Sequence, residues 1–411
     1  MSAVVAESTY VDTAFDIGAQ LCRDAIWSAG ACNWLGDSMD PILGEWRVVH
    51  RSFGPDLYMG TSGAAMFLAR LSRYIDEPLL RSTARGAVRH ALAKRDDIPV
   101  EARHSLYSGW IGIALALGDV AESLDDAALA NEAWLMIEAQ RGCTMPEMSL
   151  DIIGGAAGVI TAFVALYRRT NQAWLIDEAT RLSQTLIEHA NRDGEAWSWT
   201  TMPPMGPGPM KDLTGYSHGT AGIALALLEL HAVTRDSALR DAANHAIAYE
   251  RQHFDAQQQN WPDFRSTPPE RAVCGLAWCH GAPGIGLSRL RAYQLTGDES
   301  YRGEAEAALR TTYAPLNAAT MHESFALCHG LCGNADLFLL AAEVLRDPRY
   351  RSGAELIARR GVQAYAQPRN PWPCGVNGGG ETPGMMMGLA GIGWFYLRMH
   401  DGRTPSVLLF S

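Results

Sequence analysis

The residues best suited to chemistry lie at Cys328-His329, in Phe325-Ala326-Leu327-Cys328-His329-Gly330-Leu331-Cys332-Gly333-Asn334. A thiol and an imidazole stand side by side there, just ahead of a glycine turn and an apolar run. Ala277-Trp278-Cys279-His280-Gly281-Ala282-Pro283-Gly284 repeats the layout upstream. Thiolate and imidazole together suit zinc, which usually takes four tetrahedral ligands. If Cys279 meets Cys328 and His329, three protein ligands leave one position open, as in catalytic rather than structural zinc sites. The familiar C-x-x-C pairs are absent, and buried cysteine is common as a core residue, so spacing alone keeps both readings open.

The elements that would carry these residues follow a repeat. Gly-x-x-Gly recurs at Gly60/Gly63, Gly109/Gly112, Gly155/Gly158, Gly219/Gly222, Gly281/Gly284, Gly330/Gly333 and Gly388/Gly391, at intervals of 46 to 64 residues. Self-similarity at such a period signals a repeat architecture. Each pair opens a run such as Ile223-Ala224-Leu225-Ala226-Leu227-Leu228, apolar nearly all round and so expected to be buried. Glycine lacks Cβ and lets backbones approach where the helix begins.

Between these runs lie amphipathic segments with helix-start residues at Asp76-Glu77-Pro78, Asp125-Asp126, Asn171-Gln172, Asp236-Ser237, Asp298-Glu299 and Asp347-Pro348. Residues 13–28 supply a seventh. No convincing alternating strand stands out. The expectation is an all-α single domain over 1–411, an α/α toroid of seven inner and seven outer helices, closed so that no end face needs a polar cap. Both cysteines then reach the same end of the barrel. His218 in Gly215-Tyr216-Ser217-His218-Gly219 occupies the same register, as do His280 and His329, each directly before its glycine. Independent core residues have little reason to recur at one register.

Composition bounds the partners. Lys+Arg 34 against Asp+Glu 45 leaves a net charge of -11, which argues against nucleic acid and anionic membrane surfaces. No apolar run is long enough to span a bilayer, and the N-terminus lacks the basic and apolar regions of a secretory signal. The eight cysteines are spread along the chain, which fits reduced thiols of the cytoplasm. Three stretches rich in proline, glycine or polar residues, 192–212, 255–273 and 367–384, read as long loops; such loops are often functional rims.

These motifs together resemble the lanthionine synthetase C-like (LanC) cyclases, over nearly the whole chain and all seven glycine repeats. Trp278-Cys279-His280-Gly281-Ala282-Pro283-Gly284-Ile285-Gly286 and Leu327-Cys328-His329-Gly330 look like that family's zinc-ligand motifs. Pro383-Gly384-Met385-Met386-Met387-Gly388-Leu389-Ala390-Gly391-Ile392-Gly393 and Pro405-Ser406-Val407-Leu408-Leu409 look most like the cyclase domains of class II synthetases. The resemblance implies an α/α toroid with one catalytic zinc, held by Cys279, Cys328 and His329. It implies addition of peptide cysteines to dehydroalanine or dehydrobutyrine, giving thioether rings. His218 and Asp151 match the family's active-site histidine and aspartate, and His280 stands where some members carry tyrosine. The implied partner is a precursor peptide already dehydrated, either by a separate dehydratase or by the rest of a larger synthetase of which this chain is the cyclase part. Nisin-type members carry an arginine four residues before the first zinc cysteine; here that place is Gly275, which leaves Arg271 as a candidate replacement.

The chemistry fits the residue types. A free thiol is mostly protonated at neutral pH, and a metal deprotonates it. An imidazole suits the proton transfer that must follow addition. The expected roles are His218 as acid/base, His280 assisting with protons or the developing oxyanion, and Asp151 orienting a histidine or accepting the thiol proton. The plainer readings are a satisfied buried histidine for His218, a helix cap for Asp151 and core filling for Cys332, Cys274 and Cys374. Rival functions are addition of glutathione to dehydroamino acids, a toroid glycosidase or terpene cyclase, and a metal-free helical-repeat peptide receptor. The glycosidase needs paired carboxylates and the terpene cyclase an Asp-rich run; acids are sparse near the glycine repeats.

Overall fold

A computed structural model describes residues 7–42, 45–146, 149–203, 210–265, 272–317 and 324–410. Fourteen α-helices dominate the described residues. Seven are opened by the glycine pairs: α2 (Thr61–Leu71), α4 (Trp110–Leu124), α6 (Ala156–Thr170), α8 (Thr220–Thr234), α10 (Ala282–Thr296), α12 (Leu331–Val344) and α14 (Leu389–His400). They are buried along most of their length. The other seven are α1 (Glu7–Asp24), α3 (Pro78–Lys94), α5 (Ala127–Glu138), α7 (Ala173–Glu188), α9 (Ser237–Gln252), α11 (Glu299–Tyr313) and α13 (Arg351–Gly361). Each packs antiparallel-fashion beside its chain neighbour, α2 on α3 through α12 on α13, and α1 packs on α14.

The starts of the second set follow local chemistry. Glu77, Asp126, Asp236 and Asp298 accept a hydrogen bond from a backbone N–H of the first turn, and Pro78 sits at the first helical position. Two expected starts divide differently. Asp125 and Asn171 end α4 and α6 in the left-handed conformation, leaving the following residue to open the next helix. The first helix runs over Glu7–Asp24 rather than 13–28, because Ile26–Ser28 is already extended.

The expectation of no convincing strand is corrected. Four antiparallel strand pairs are present among the described residues: β1 (Ile26–Ser28) with β2 (Ala31–Asn33), β3 (Leu35–Ile42) with β4 (Glu45–Ser52), β5 (Asn191–Asp193) with β6 (Ala196–Ser198), and β7 (Pro262–Asp263) with β8 (Val273–Cys274). The β3–β4 ribbon escapes a polarity reading because most of its residues are exposed on both faces, so no buried side imposes alternation.

What positions the site is a closed girdle of backbone hydrogen bonds. The residue two places before each first glycine bonds to its counterpart in the next repeat, except that in the third repeat Ile153 accepts and its neighbour Ile152 donates onward. Tyr58 N–H donates to Tyr107 C=O (3.0 Å), Tyr107 to Ile153 (3.1 Å) and Ile152 to Ser217 (3.1 Å). Ser217 then donates to Cys279 (3.2 Å), Cys279 to Cys328 (3.2 Å), Cys328 to Met386 (2.9 Å) and Met386 back to Tyr58 (2.8 Å). Each lead-in must then fold over the first turn of its own helix. A Cβ on Gly222 would stand 2.1 Å from the Tyr216 carbonyl oxygen, and one on Gly284 1.9 Å from that of Trp278. These glycines are demanded by backbone-on-backbone packing.

Candidate active site

The girdle register explains which side chains meet. Six of the seven positions directly before the first glycines, Met59, Ser108, His218, His280, His329 and Met387, line one cavity of about 1100 Å³. Tyr58, Ile153, Cys279 and Cys328 join it from the girdle itself. The cavity lies at the N-terminal ends of the glycine-led helices, where unpaired N–H groups favour anions such as thiolates.

Cys279, Cys328 and His329 converge: one donor atom from each lies within 4.8 Å of the others. The direct backbone bond from Cys279 to Cys328 brings the two sulfurs together. They share a hydrogen bond. Donated by Cys328, it holds Cys279 below the usual thiol range against the pull of burial. The same bond, with burial and the Cys279 charge, pushes Cys328 well above it. The Tyr58 hydroxyl also lies beside Cys328, and its own ionisation is suppressed by burial and by both cysteines. His329 Nε2–H donates to the Gly375 carbonyl (2.7 Å), which leaves Nδ1 with its lone pair for a metal. Burial keeps that ring neutral. Two sulfurs and a fixed neutral imidazole fit zinc in type and spacing, and no fourth His, Cys, Asp or Glu belongs to the cluster among the described residues. Cys332 lies in the core of α12, its thiol pushed well up by burial.

Facing them is a second pair. His218 Nδ1 bonds Asp151 Oδ2 at 2.5 Å, and Asp151 Oδ1 accepts from Gly154 N–H at 2.8 Å. Asp151 therefore braces a turn and a histidine, and does not cap α6, whose N-cap is Gly155. Burial disfavours the His218 cation, but the Asp151 contact outweighs it and the pKa is raised. With Nδ1–H committed to Asp151, Nε2 is the nitrogen left for a substrate proton. His280 stacks 6.1 Å from His218, is 2 % exposed, and among the described residues neither ring nitrogen makes a side-chain hydrogen bond of good geometry. Burial, helped by the Arg265 charge, drives its pKa down to about 3, so it is neutral at physiological pH.

Five of the six sequence-chosen residues, Cys279, Cys328, His329, His218 and His280, line one cavity, and the sixth, Asp151, stands behind His218. Four further contributors were not among the chosen residues: Tyr58, which shares the register of Cys279 and Cys328 two places before Gly60, the Gly375 carbonyl, Asp263 and Arg265. The last three come from two of the three loops singled out by composition, which was the available signal. Arg271 lies outside the described residues.

Residues 51–409 match the family model described as "Lanthionine synthetase C-like protein". The chain belongs to that family. Among solved structures this LanC-like chain resembles nisin cyclase, with a TM-score of 0.64 at 18% identity over 86% of this chain and 90% of that one. It also shares its fold with a GH76 α-mannanase of Bacteroides thetaiotaomicron, at a TM-score of 0.53 and 11% identity over 97% and 96% of the two chains. A curated relative, the glutathione S-transferase LANCL1 of Danio rerio, is 25% identical over 142 residues, 34% of this chain. The matched segment spans about a third of that relative, 33% of its length. The fold is thus shared with enzymes of other chemistry, and the cysteine–histidine cluster of this LanC-like chain has to carry the functional argument. No helix among the described residues is long and apolar enough to cross a membrane.

Proposed function

We propose that this chain is a zinc-dependent cyclase that adds peptide cysteine thiols to dehydroalanine or dehydrobutyrine, forming (methyl)lanthionine rings. We read the two helix sets as inner and outer layers of one α/α-toroid domain. The observation that carries the reading is the facing arrangement of Cys279, Cys328 and His329 with the Asp151–His218 pair across one cavity. Zinc bound there would supply deprotonation of a substrate thiol and keep its sulfur electron-rich.

The protein's own residues do the rest. Cys279, Cys328 and His329 hold the ion, and the Gly375 carbonyl fixes the His329 ring. Asp151 keeps the His218 proton on Nδ1, so Nε2 can carry a second proton and deliver it to Cα once sulfur has added at Cβ. His280, neutral and dry, offers an N–H rather than a charge. A cavity of about 1100 Å³ exceeds the usual range for small-molecule sites, which favours a peptide substrate. That peptide would arrive already dehydrated by a separate dehydratase, in the cytoplasm.

The relative named as a glutathione S-transferase supports a second reading, addition of glutathione to dehydroamino acids. One assay separates them. Dehydrated peptide containing cysteine is incubated with the protein, with and without glutathione. Cyclisation consumes peptide thiols at unchanged mass; glutathione addition raises the mass. Unchanged thiols and unchanged mass would sink both.

A further inference from the structure

One wall of the cavity comes from the loop after α9, where the short β7–β8 pair presents Asp263 and, two residues on, Arg265. The pair is clamped. Arg265 Nε reaches both oxygens of Asp263 at 3.0 Å, and Nη2 reaches Oδ2 at 2.6 Å. The Arg265 backbone N–H adds a fourth bond, to Oδ1 at 3.0 Å. This fork uses one edge of the guanidinium. Nη1 makes no hydrogen bond to a described residue, and Arg265 lines the same cavity as Cys279, Cys328, His218 and His280. Asp263 Oδ1 also lies 3.9 Å from His280 Nδ1.

We propose that Arg265, held in place by Asp263, binds the carbonyl oxygen of the dehydroamino acid and takes up the negative charge that develops there as sulfur adds. The inference rests on the thioether-forming reading above. In the addition a sulfur lone pair forms the S–Cβ bond while the Cα=Cβ pair moves into the carbonyl, giving an enolate. The thiol proton, taken up by His218 Nε2 as sulfur is deprotonated, is then delivered to Cα as that pair returns, so it ends on carbon and nothing else is consumed.

Charge balance is what calls for a cation. Two thiolate ligands cancel the charge of a bound Zn²⁺, so the negative charge of the incoming thiolate passes to the enolate oxygen without a counter-charge from the metal centre. The cavity's other cationic side chains, Arg51 and Lys94, are each paired with an acid as Arg265 is, to Asp40 (2.7 Å) and Asp97 (3.0 Å), but they enter from β4 and α3. Arg265 enters from the β7–β8 side, where its partner Asp263 lies 3.9 Å from His280, the chain neighbour of Cys279, and it lines the same cavity as Cys328, His218 and His329. A preorganised guanidinium is an effective partner for a developing oxyanion, and the planar fork explains why arginine serves and lysine would serve less well.

The test compares wild type with Arg265→Ala, Arg265→Lys and Asp263→Asn, reading zinc per chain, kcat and KM on a dehydrated peptide, and rescue by guanidinium added to the buffer. Expected for Arg265→Ala are unchanged zinc, kcat lower by about 10²–10³ with KM within a few-fold, and partial recovery with guanidinium. Asp263→Asn and Arg265→Lys should fall between it and wild type, and His218→Ala should not respond to guanidinium. Wild-type kcat in Arg265→Ala overturns the proposal. So does loss of zinc in step with activity, which would make Arg265 a support of the metal centre only. A wild type that forms no thioether fails the functional reading itself, and this proposal with it; an active wild type with an equally active Arg265→Ala fails this proposal alone.

Discussion

At the scale of single residues, the site depends on protons being where the structure puts them. Removing one sulfur leaves two ligands, so Cys328→Ala should fall from about one zinc per chain to none and lose ring formation with it, measured by metal analysis and by thiol loss from dehydrated peptide. The Asp151–His218 bond makes a separate prediction. His218 binds its proton more tightly folded than unfolded, so its contribution to stability is fully present below the unfolded pKa of about 6.5 and is lost as pH rises through the folded value. Asp151→Asn removes the group that raises the pKa, leaving burial and Arg265 to lower it. The His218 titration, followed by NMR, should move to lower pH. The stability gap between wild type and variant should narrow as pH rises from 6 through the wild-type titration. A His218 midpoint unmoved by the substitution would show that Asp151 does not govern its protonation.

At the scale of elements, the glycines that open the buried helices are tied to geometry a side chain cannot share. A Cβ on Gly222 meets the Tyr216 carbonyl oxygen at 2.1 Å and the Ile152 side chain at 2.5 Å, both fixed in the girdle. Gly222→Ala should therefore destabilise by about 1–3 kcal/mol or more, read from denaturant unfolding. Gly118, inside α4 with nothing within 4 Å of its would-be Cβ, is the control. There Ala should stabilise by about 0.5–1 kcal/mol, since helix propensity is all that changes. Equal effects at both positions would contradict the packing account. The expectation drawn from the repeats, that these glycines permit close backbone approach at the helix start, agrees with the contacts. The helix starts at Glu77, Asp126, Asp236 and Asp298 were likewise local and legible. The strand pairs were not, because β3–β4 projects with little burial and so leaves no periodic trace.

At the scale of the whole molecule, the C-terminal stretch braces the ring from within. Tyr107 Oη donates to the Val407 carbonyl (2.7 Å) and Trp278 Nε1 to that of Leu408 (3.1 Å), while Phe410 packs edge-on against Tyr107. Tyr107 is a girdle residue, and Trp278 directly precedes Cys279. Val407, Leu408 and Leu409 are buried. Deleting residues 405–411 should remove roughly 5 kcal/mol or more, from two buried hydrogen bonds and three apolar side chains. It should also weaken zinc retention against a chelator, because the residue behind Cys279 loses its anchor. A truncated chain with an unchanged melting temperature and unchanged metal retention would remove this bracing role.

Much of this was fixed by the chain before it folded. The repeat of glycine pairs, the helix caps and the common register of Cys279, Cys328, His218, His280 and His329 are local facts, set by steric and hydrogen-bonding rules acting within a few residues. The register even determines the convergence of the ligands, since a closed girdle aligns whatever stands two and one places before each glycine. Long-range closure decided the rest. Asp263 and Arg265 carry no repeat position, and only the fold of the loop after α9 brings them to the thiols. Gly375 reaches His329 through a carbonyl that every residue possesses, so no residue type could announce it. Tyr58 joins the centre because the first repeat meets the last, a juxtaposition that depends on the whole chain and on no segment of it.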